Sequence, residues 1–292
     1  MGTSSRYGGP PTGLVPSWAD DPILGVTPAG PTDPIGGAVT PDIPDLPAIY
    51  PSASTSPRTP VLPDVRDAGR FGGARGSFTR FARTGSRTAL GSALSNYVRN
   101  GTVGGRRAAR RMGASRGAGA HLLGFIRDVH RNGAAETLQQ LNLPGLAGRP
   151  AHEVFVALLE FLCPPGGAID EAIARQAMLE AIGDLAEAGE GNFDTMTPDQ
   201  MQEFFLDFIA RSIEGRVIAD LGQRGVTLPD DAAAVEYAQQ QLHDFVAGCT
   251  RGQLSGRLDG LDRLPDLEIE RVVDEIYEAA FELVAAAGEA AA

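Results

Sequence analysis

Proline is distributed very unevenly along the chain, and this constrains the fold more than any other feature. Fourteen of the 21 prolines lie within residues 1–65. Each proline removes a backbone hydrogen-bond donor and disfavours helix at the residue before it. A segment so rich in proline, glycine and hydroxyl residues cannot bury enough apolar surface to offset the entropy of ordering. Residues 1–65 are therefore predicted to form an extended, partly polyproline-like arm, and the folded body must come from the rest of the chain.

Charge divides the rest of the chain into two blocks of opposite sign. Residues 66–131 hold 14 arginines and two acids, whereas residues 132–292 hold nine arginines and 29 acids. Such blocks can attract each other within one chain or serve different partners. We interpret the basic block as a strap that lies against the chain's own acidic helices or against an acidic partner protein.

Apolar residues in the acidic block recur at the spacing of amphipathic helices, and no convincing strand alternation accompanies them. The sequence therefore predicts an all-α fold: a C-terminal helical bundle preceded by the long Pro/Gly-rich extended arm and an Arg/Gly-rich segment. The predicted regions are an N-terminal arm over 1–65, a connecting segment with short helices over 66–116, and an acidic α-helical domain over 117–292.

Several helix boundaries can be predicted from capping and proline signals. "TPDQ" places Thr197 as the N-cap, with Gln200 completing a capping box. Pro265 and Asp266 open the last helix. The helix predicted over 169–188 has Ile169 on its inner face. Further helices are predicted over 86–99, within "GRRAARRMG", over 150–163, and after "LPDD" at 228–231.

Motifs that would carry chemistry are missing from the sequence. His152 and Glu153 begin a zinc-protease pattern, but valine stands where the second histidine belongs. All 25 basic residues are arginine, so a phosphate-binding loop with its lysine is absent, as is a G-x-S-x-G elbow. Cys163 and Cys249 lie in apolar surroundings that favour buried thiols. We therefore expect no catalytic residue, no metal and no cofactor, and a protein that is not an enzyme.

Two further signals concern localisation and nucleic acid. The chain has neither an apolar run of about 18 residues nor a basic-then-apolar leader, which favours the cytoplasm and no membrane contact.

"RFGGARGS" at 70–77 is followed by "RFARTGS" at 80–86, which interleaves arginine with phenylalanine. Protein contact is the favoured interpretation, because the acidic body argues against a broad nucleic-acid surface. The candidate nucleic-acid contacts are Phe71, Phe78 and Phe81 for base stacking, and Arg106, Arg107, Arg110 and Arg111, on one helix face, for phosphates.

The N-terminal tip offers the one unusual chemical group. Removal of Met1 would leave the α-amine of Gly2 as the only primary amine, since lysine is absent. With a reference pKa of about 7.7–8.0, roughly a tenth of such amines are neutral and nucleophilic near pH 7. Arg6 argues against myristoylation, which needs Ser or Thr there. Trp18 belongs to a small apolar cluster that either folds onto the body or forms a recognition peptide.

Two stretches, "MGTSSRYGGPPTGLVPSWADD" and "RFGGARGSFTRFARTGS", together with the helical C-terminal part, resemble the QatB family of the Qat anti-phage defence system. The resemblance implies partners from the same operon: a QueC-like enzyme of the QatC type, an ATPase and a TatD-like nuclease. QueC enzymes use ATP to activate a 7-carboxy-7-deazaguanine for attack by an amine. The resemblance thus implies that Gly2 accepts a 7-deazaguanine-type modification from the QueC-like partner.

The resemblance implies that Thr3, Ser4 and Ser5 enter the partner's active site, and the apolar cluster and the Arg-Phe repeats add further candidate contacts. A different class of function also remains open, in which the chain is a nucleic-acid-binding or scaffolding adaptor for the ATPase and nuclease. The predicted partner-binding residues are Thr3, Ser4, Ser5, Tyr7, Trp18, Arg70, Phe71, Arg80 and Phe81.

Overall fold

A computed structural model describes most of the chain that follows the proline-rich arm. The predicted arm and all site residues predicted within it, from Gly2 to Trp18, lie outside the described residues. The described residues are 69–166, 168–189, 191–222, 231–258 and 260–292.

Every regular element among the described residues is helical, apart from one isolated bridge between Pro150 and Asn192. The all-α prediction is therefore confirmed. No helix among these residues is both long and apolar enough to cross a bilayer. The α-helices are α1 Gly72–Thr84, α2 Arg87–Asn96, α3 Gly105–Arg110, α4 Ala114–Asn132, α5 Ala134–Gln140, α6 Ala151–Ala157, α7 Leu159–Leu162, α8 Ile169–Glu187, α9 Pro198–Gly222, α10 Ala232–Leu254 and α11 Asp266–Ala291.

Two long helices, α9 and α11, organise the packing. Helix α11 contacts α2, α3, α4 and α10, while α9 contacts α8, α10, α4 and α1. The core between them is rich in aromatic rings, and Tyr97, Phe205 and Tyr277 are fully buried. The short helices of the basic segment thus share one hydrophobic core with the acidic helices. The boundary predicted between residues 116 and 117 lies inside α4.

The predicted helix starts are confirmed at the atomic level. The amide of Gln200 donates to Thr197 Oγ1 at 3.2 Å, and Gln200 Oε1 accepts from the Thr197 amide at 2.8 Å. This reciprocal pair satisfies two amides that the first turn of a helix leaves without partners. Asp231 caps α10 by accepting from the Ala233 amide at 3.1 Å. Helix α11 begins directly after Pro265.

Two details of the helix predictions are wrong. The run predicted over 150–163 is divided into α6 and α7 at Leu158. Ile169 is 62% exposed rather than on the inner face of α8. It is the first residue of that helix, and it lines a cleft described below instead of the core.

Helices α2 and α11 cross where each carries a glycine. A Cβ atom added to Gly91 would lie 2.7 Å from the carbonyl oxygen of Gly288, closer than real Cβ contacts come. The absence of side chains at this crossing lets the two backbones touch. The basic segment therefore packs backbone to backbone against the last acidic helix.

Candidate functional site

The aromatic residues predicted as contact sites are packed inside the protein. Phe71 is 3% and Phe81 0% exposed, and Phe78 is also buried. The Phe71 ring stacks on Tyr97 with 5.4 Å between ring centroids. This corrects the expectation that these rings face a partner or nucleic acid bases, because in this fold they have no surface to offer. Their spacing matches the buried face of α1.

The arginines predicted as contact sites divide into two groups. Arg70 and Arg80 lie at the surface, as do Arg106, Arg107 and Arg110 of α3. Arg111 instead turns inward, with its guanidinium 5.5 Å from the centroid of the Phe71 ring and bonded to Asp220 at 3.2 Å. The four arginines from 106 to 111 therefore do not share one exposed face.

Among the described residues, ion pairs join the basic segment to the acidic helices, as expected for a strap that lies against the chain's own helices. Arg99 bonds Glu289 at 2.8 Å and also pairs with Glu282, while Arg116 pairs with Asp274. The Gly105 amide donates to Glu282 at 2.7 Å. Partial burial alone would raise the pKa of Glu282, but this hydrogen bond and the Arg99 contact outweigh it and lower the pKa.

Asp220, near the end of α9, is the most connected of these carboxylates. It is 9% exposed. The Tyr97 hydroxyl donates to it at 2.9 Å, and Arg111 and Arg216 each bond it at 3.2 Å. Burial, and then the Asp220 charge, raise the pKa of Tyr97, so the phenol stays a donor. These contacts join α9 to the basic segment, and they occupy both oxygens of the Asp220 carboxylate.

A second polar region lies between α8, α9 and α10, where the helices leave a cleft of about 510 Å³. One part of its lining is apolar, formed by isoleucines of α8 and α9. Another part is ionisable and comes from all three helices. The lining includes Ile169, Ile173, Ile218, Glu180, Arg211, Glu214, Glu236 and His243.

The arginine of this cleft is saturated by carboxylates. Arg211 donates to Asp207 at 3.0 Å and to Glu180 at 3.2 Å, and it also bonds Asp184. Burial alone would lower the pKa of Arg211, but the carboxylates of Asp184 and Asp207 outweigh it and raise the pKa. Arg251 adds a bond to Asp207 at 2.8 Å. The guanidinium of Arg211 therefore cannot also bind an anionic ligand without losing these partners.

His243 of α10 lies between two carboxylates of α9. Its Nε2 is 3.6 Å from Asp207 Oδ1, and its Nδ1 is 3.4 Å from Glu214 Oε2. Neither His243 Nδ1 nor Glu214 Oε2 makes a hydrogen bond with a described residue, although both atoms are buried. Such groups are rare in native proteins, because a buried polar atom without a partner loses its hydration.

Sequence reasoning missed this cluster. None of Asp207, Glu214 and His243 was singled out from the sequence. A signal did exist, because Asp207, Arg211 and Glu214 recur four and three residues apart within the apolar stripe of α9. The signal did not say which helix would supply their partner, since α10 is a separate element.

A metal ion does not suit this cluster. Ligand atoms of Asp184, Asp207 and His243 lie within 4.8 Å of one another. However, the Arg211 guanidinium already bonds both carboxylates, and its permanent positive charge would repel a second cation at the same oxygens. The carboxylates act as partners of arginine rather than as a metal cage.

Taken together, fold and site define an all-helical protein whose basic N-terminal helices are fastened to its own acidic helices by buried and surface ion pairs. Residues 103–284, more than half of the chain, match the family described as "Qat anti-phage system associated protein QatB". The chain belongs to this QatB family and is thus a component of the Qat anti-phage system. No curated protein and no solved structure matches it significantly.

Proposed function

We propose that this chain is a non-catalytic subunit of the Qat anti-phage complex that binds the QueC-like enzyme and presents the α-amine of Gly2 to it. Family membership is the observation that carries this proposal, because it places the chain in a defence system. In the proposed step the enzyme joins the carboxylate of a 7-deazaguanine to AMP at the expense of ATP, releasing pyrophosphate. The amine then attacks the acyl carbon, loses a proton and displaces AMP, forming an amide.

The architecture of the body supports a presenting role. The described residues begin at residue 69, and Phe71 is already buried in the core. From there to α3 the chain is fixed to α9 and α11 through Asp220, Glu282 and the glycine crossing. A rigid body close behind the arm restricts where the arm begins, which lowers the entropy lost when the tip enters a partner.

The composition supports the choice of the α-amine. The chain contains no lysine, so no side-chain amine of its own competes for the activated carboxylate. An amine with a pKa near 7.7–8.0 is also about a hundredfold or more richer in the neutral form at pH 7 than a lysine near 10.4.

Mass analysis of the complex tests the proposal. The chain is co-expressed with the QueC-like enzyme, and the intact mass and the N-terminal peptide are measured. We expect an added deazaguanine-type mass on Gly2 and loss of both the adduct and enzyme binding in Gly2→Glu. Gly9→Glu is the matched control, because it puts the same charge on the same arm and should retain both. An unmodified Gly2 with unchanged binding in Gly2→Glu would overturn the proposal.

A second function, contact with nucleic acid, is favoured by one observation. Arg106, Arg107 and Arg110 are exposed on α3, and no ion pair joins them to another described residue. Charge reversal of these three should abolish a salt-sensitive DNA shift if they contact phosphates. The control is Arg80→Glu, a charge reversal at an exposed arginine of α1. A shift that persists in the triple variant would exclude this surface.

A further inference from the structure

The cleft between α8, α9 and α10 carries more negative charge than the described arginines around it neutralise. The carboxylates of Asp184 and Asp207 pair with Arg211, as described above. Glu214 on α9 and Glu236 on α10 line the same cleft, and no arginine among the described residues pairs with either. Glu214 and Glu236 therefore give the cleft two carboxylates, from two different helices, that no arginine among the described residues neutralises.

Glu214 is the more informative of the two. It is 9% exposed, and its Oε2 has no hydrogen-bond partner among the described residues. The polar group beside it is His243 Nδ1 at 3.4 Å, which also makes no hydrogen bond with a described residue. A buried carboxylate oxygen without a donor is costly, and a ligand that brings N–H donors would remove that cost.

The rest of the lining restricts the kind of ligand. An anion would meet the carboxylates and find Arg211 already saturated. A metal ion would compete with the same arginine. Ile173 and Ile218 give the cleft an apolar wall beside its acidic part. The lining thus suits a ligand with an apolar stem and a positively charged, hydrogen-bonding end.

We propose that this cleft binds an arginine side chain carried by a partner protein. The guanidinium donates to Glu214 and approaches Glu236, while the methylene stem packs against Ile173 and Ile218. Arginine suits the site better than lysine, because its planar end offers five donors and is more weakly hydrated than an ammonium group. Its stem also buries apolar surface while the charge stays with the carboxylates.

Blocked tripeptides test this proposal on the full-length protein. The probe is N-acetyl-alanine–arginine–alanine-amide, titrated by calorimetry and by NMR of the His243 ring. The citrulline tripeptide is the neutral, nearly isosteric comparison, and the lysine tripeptide tests the shape of the charged group. We expect saturable binding of the arginine peptide, weaker binding of the lysine peptide and no binding of the citrulline peptide.

Matched variants locate the binding site. Glu214→Gln combined with Glu236→Gln should weaken the arginine peptide about tenfold or more, as expected for loss of charge-assisted hydrogen bonds. Glu187→Gln removes one carboxylate charge from an exposed position of α8 outside the cleft and should leave the affinity for the arginine peptide unchanged. Circular dichroism of each variant verifies that the fold is kept.

Three outcomes would overturn the proposal. The first is no saturable response to the arginine peptide in the wild type. The second is equal binding of the arginine and citrulline peptides, or unchanged affinity in the double variant. The third is tighter binding of free arginine than of the blocked peptide, which would assign the cleft to a small molecule.

Discussion

The two buried carboxylates of α9 make an instructive pair. Asp220 and Glu214 lie six residues apart on the same helix, and both are 9% exposed. Asp220 has a tyrosine and two arginines as partners, whereas Glu214 has a histidine at 3.4 Å and no hydrogen bond at Oε2. The two residues are therefore equally buried, but both oxygens of Asp220 are hydrogen-bonded whereas Oε2 of Glu214 is not.

This difference distinguishes Asp220, which stabilises the packing of the helices, from Glu214, which belongs to a candidate binding site. Asp220 and its partners hold α9 against the basic segment. Because its oxygens are already hydrogen-bonded, Asp220 has no acceptor left for a ligand. Glu214 lines the cleft between α8, α9 and α10, and its Oε2 has no hydrogen-bond donor among the described residues. Burial of a charge does not by itself assign a role, and its partners must be counted as well.

The largest expected effect tests the satisfied carboxylate. Asp220→Asn keeps the shape but removes the charge that Arg111 and Arg216 contact. We expect a loss of about 3 kcal/mol in the free energy of unfolding, because breaking a buried pair leaves charge uncompensated. Denaturant unfolding measures it. Glu214→Gln is the comparison on the same helix, and we expect no loss of stability, because the change removes the charge of a buried carboxylate whose Oε2 has no donor among the described residues. Equal losses in both variants would break the comparison.

The next effect tests the other contact of the basic segment. Gly91→Ala places a methyl group against the Gly288 backbone, so the two helices must separate. We expect a loss of about 1–3 kcal/mol, the usual range for overpacking. Gly183→Ala is the control within α8, where nothing lies within 4 Å of the added Cβ. It should raise stability by about 0.5–1 kcal/mol through helix propensity. Thermal unfolding should show a lower melting temperature for Gly91→Ala and a higher one for Gly183→Ala. Stabilisation by Gly91→Ala would contradict the close backbone contact between α2 and α11.

The fold was more predictable from the sequence than the site. Local signals located helix starts, because a cap such as Thr197 with Gln200 acts within one turn. The prediction that Phe71 and Phe81 are contact residues rested on the arginines interleaved with them, whereas both rings are buried. Their helical spacing was the better guide, and hydrophobic burial outweighed glycine's poor helix propensity.

The contacts that matter at the site are distant in sequence. His243 meets Asp207 only because α9 and α10 pack side by side, and no local rule fixes that pairing.

The residues that suggested the family differ from those that match it. It was suggested mainly by residues 1–25 and 66–115, whereas the match covers residues 103–284 and so lies largely in the acidic helices. The helical body therefore carries the family relationship that the arm first indicated.

A smaller effect concerns pH. The folded pKa of Glu282 is lowered by the Gly105 amide and Arg99 against the opposing effect of burial, so its contribution is present above the ordinary glutamate pKa. It is lost as the pH falls below about 4.5 through the folded pKa. Glu282→Gln should therefore cost under about 1 kcal/mol at pH 7, and this cost should fade toward pH 3. Glu289→Gln loses only the Arg99 contact and should show less of this pH dependence. A cost of Glu282→Gln that grows on acidification would contradict the assignment.

The smallest effect concerns the closure of the wall that α8 forms beside Glu214. The Cys163 thiol packs under α8, with its sulfur 3.8 Å from the Ala174 carbonyl oxygen. Burial raises its pKa to about 12, opposed only partly by Arg175. At pH 8 about one part in ten thousand of such a thiol is thiolate, the form that reacts with disulfide reagents. In the Cys249→Ala variant we expect labelling of Cys163 to be slow and to rise about tenfold per pH unit from 8 to 10. The half-buried Cys249, followed in Cys163→Ala, should react faster. A Cys163 rate that levels off near pH 9 would mean that α8 opens to expose an ordinary thiol, and the cleft wall would then be mobile rather than fixed.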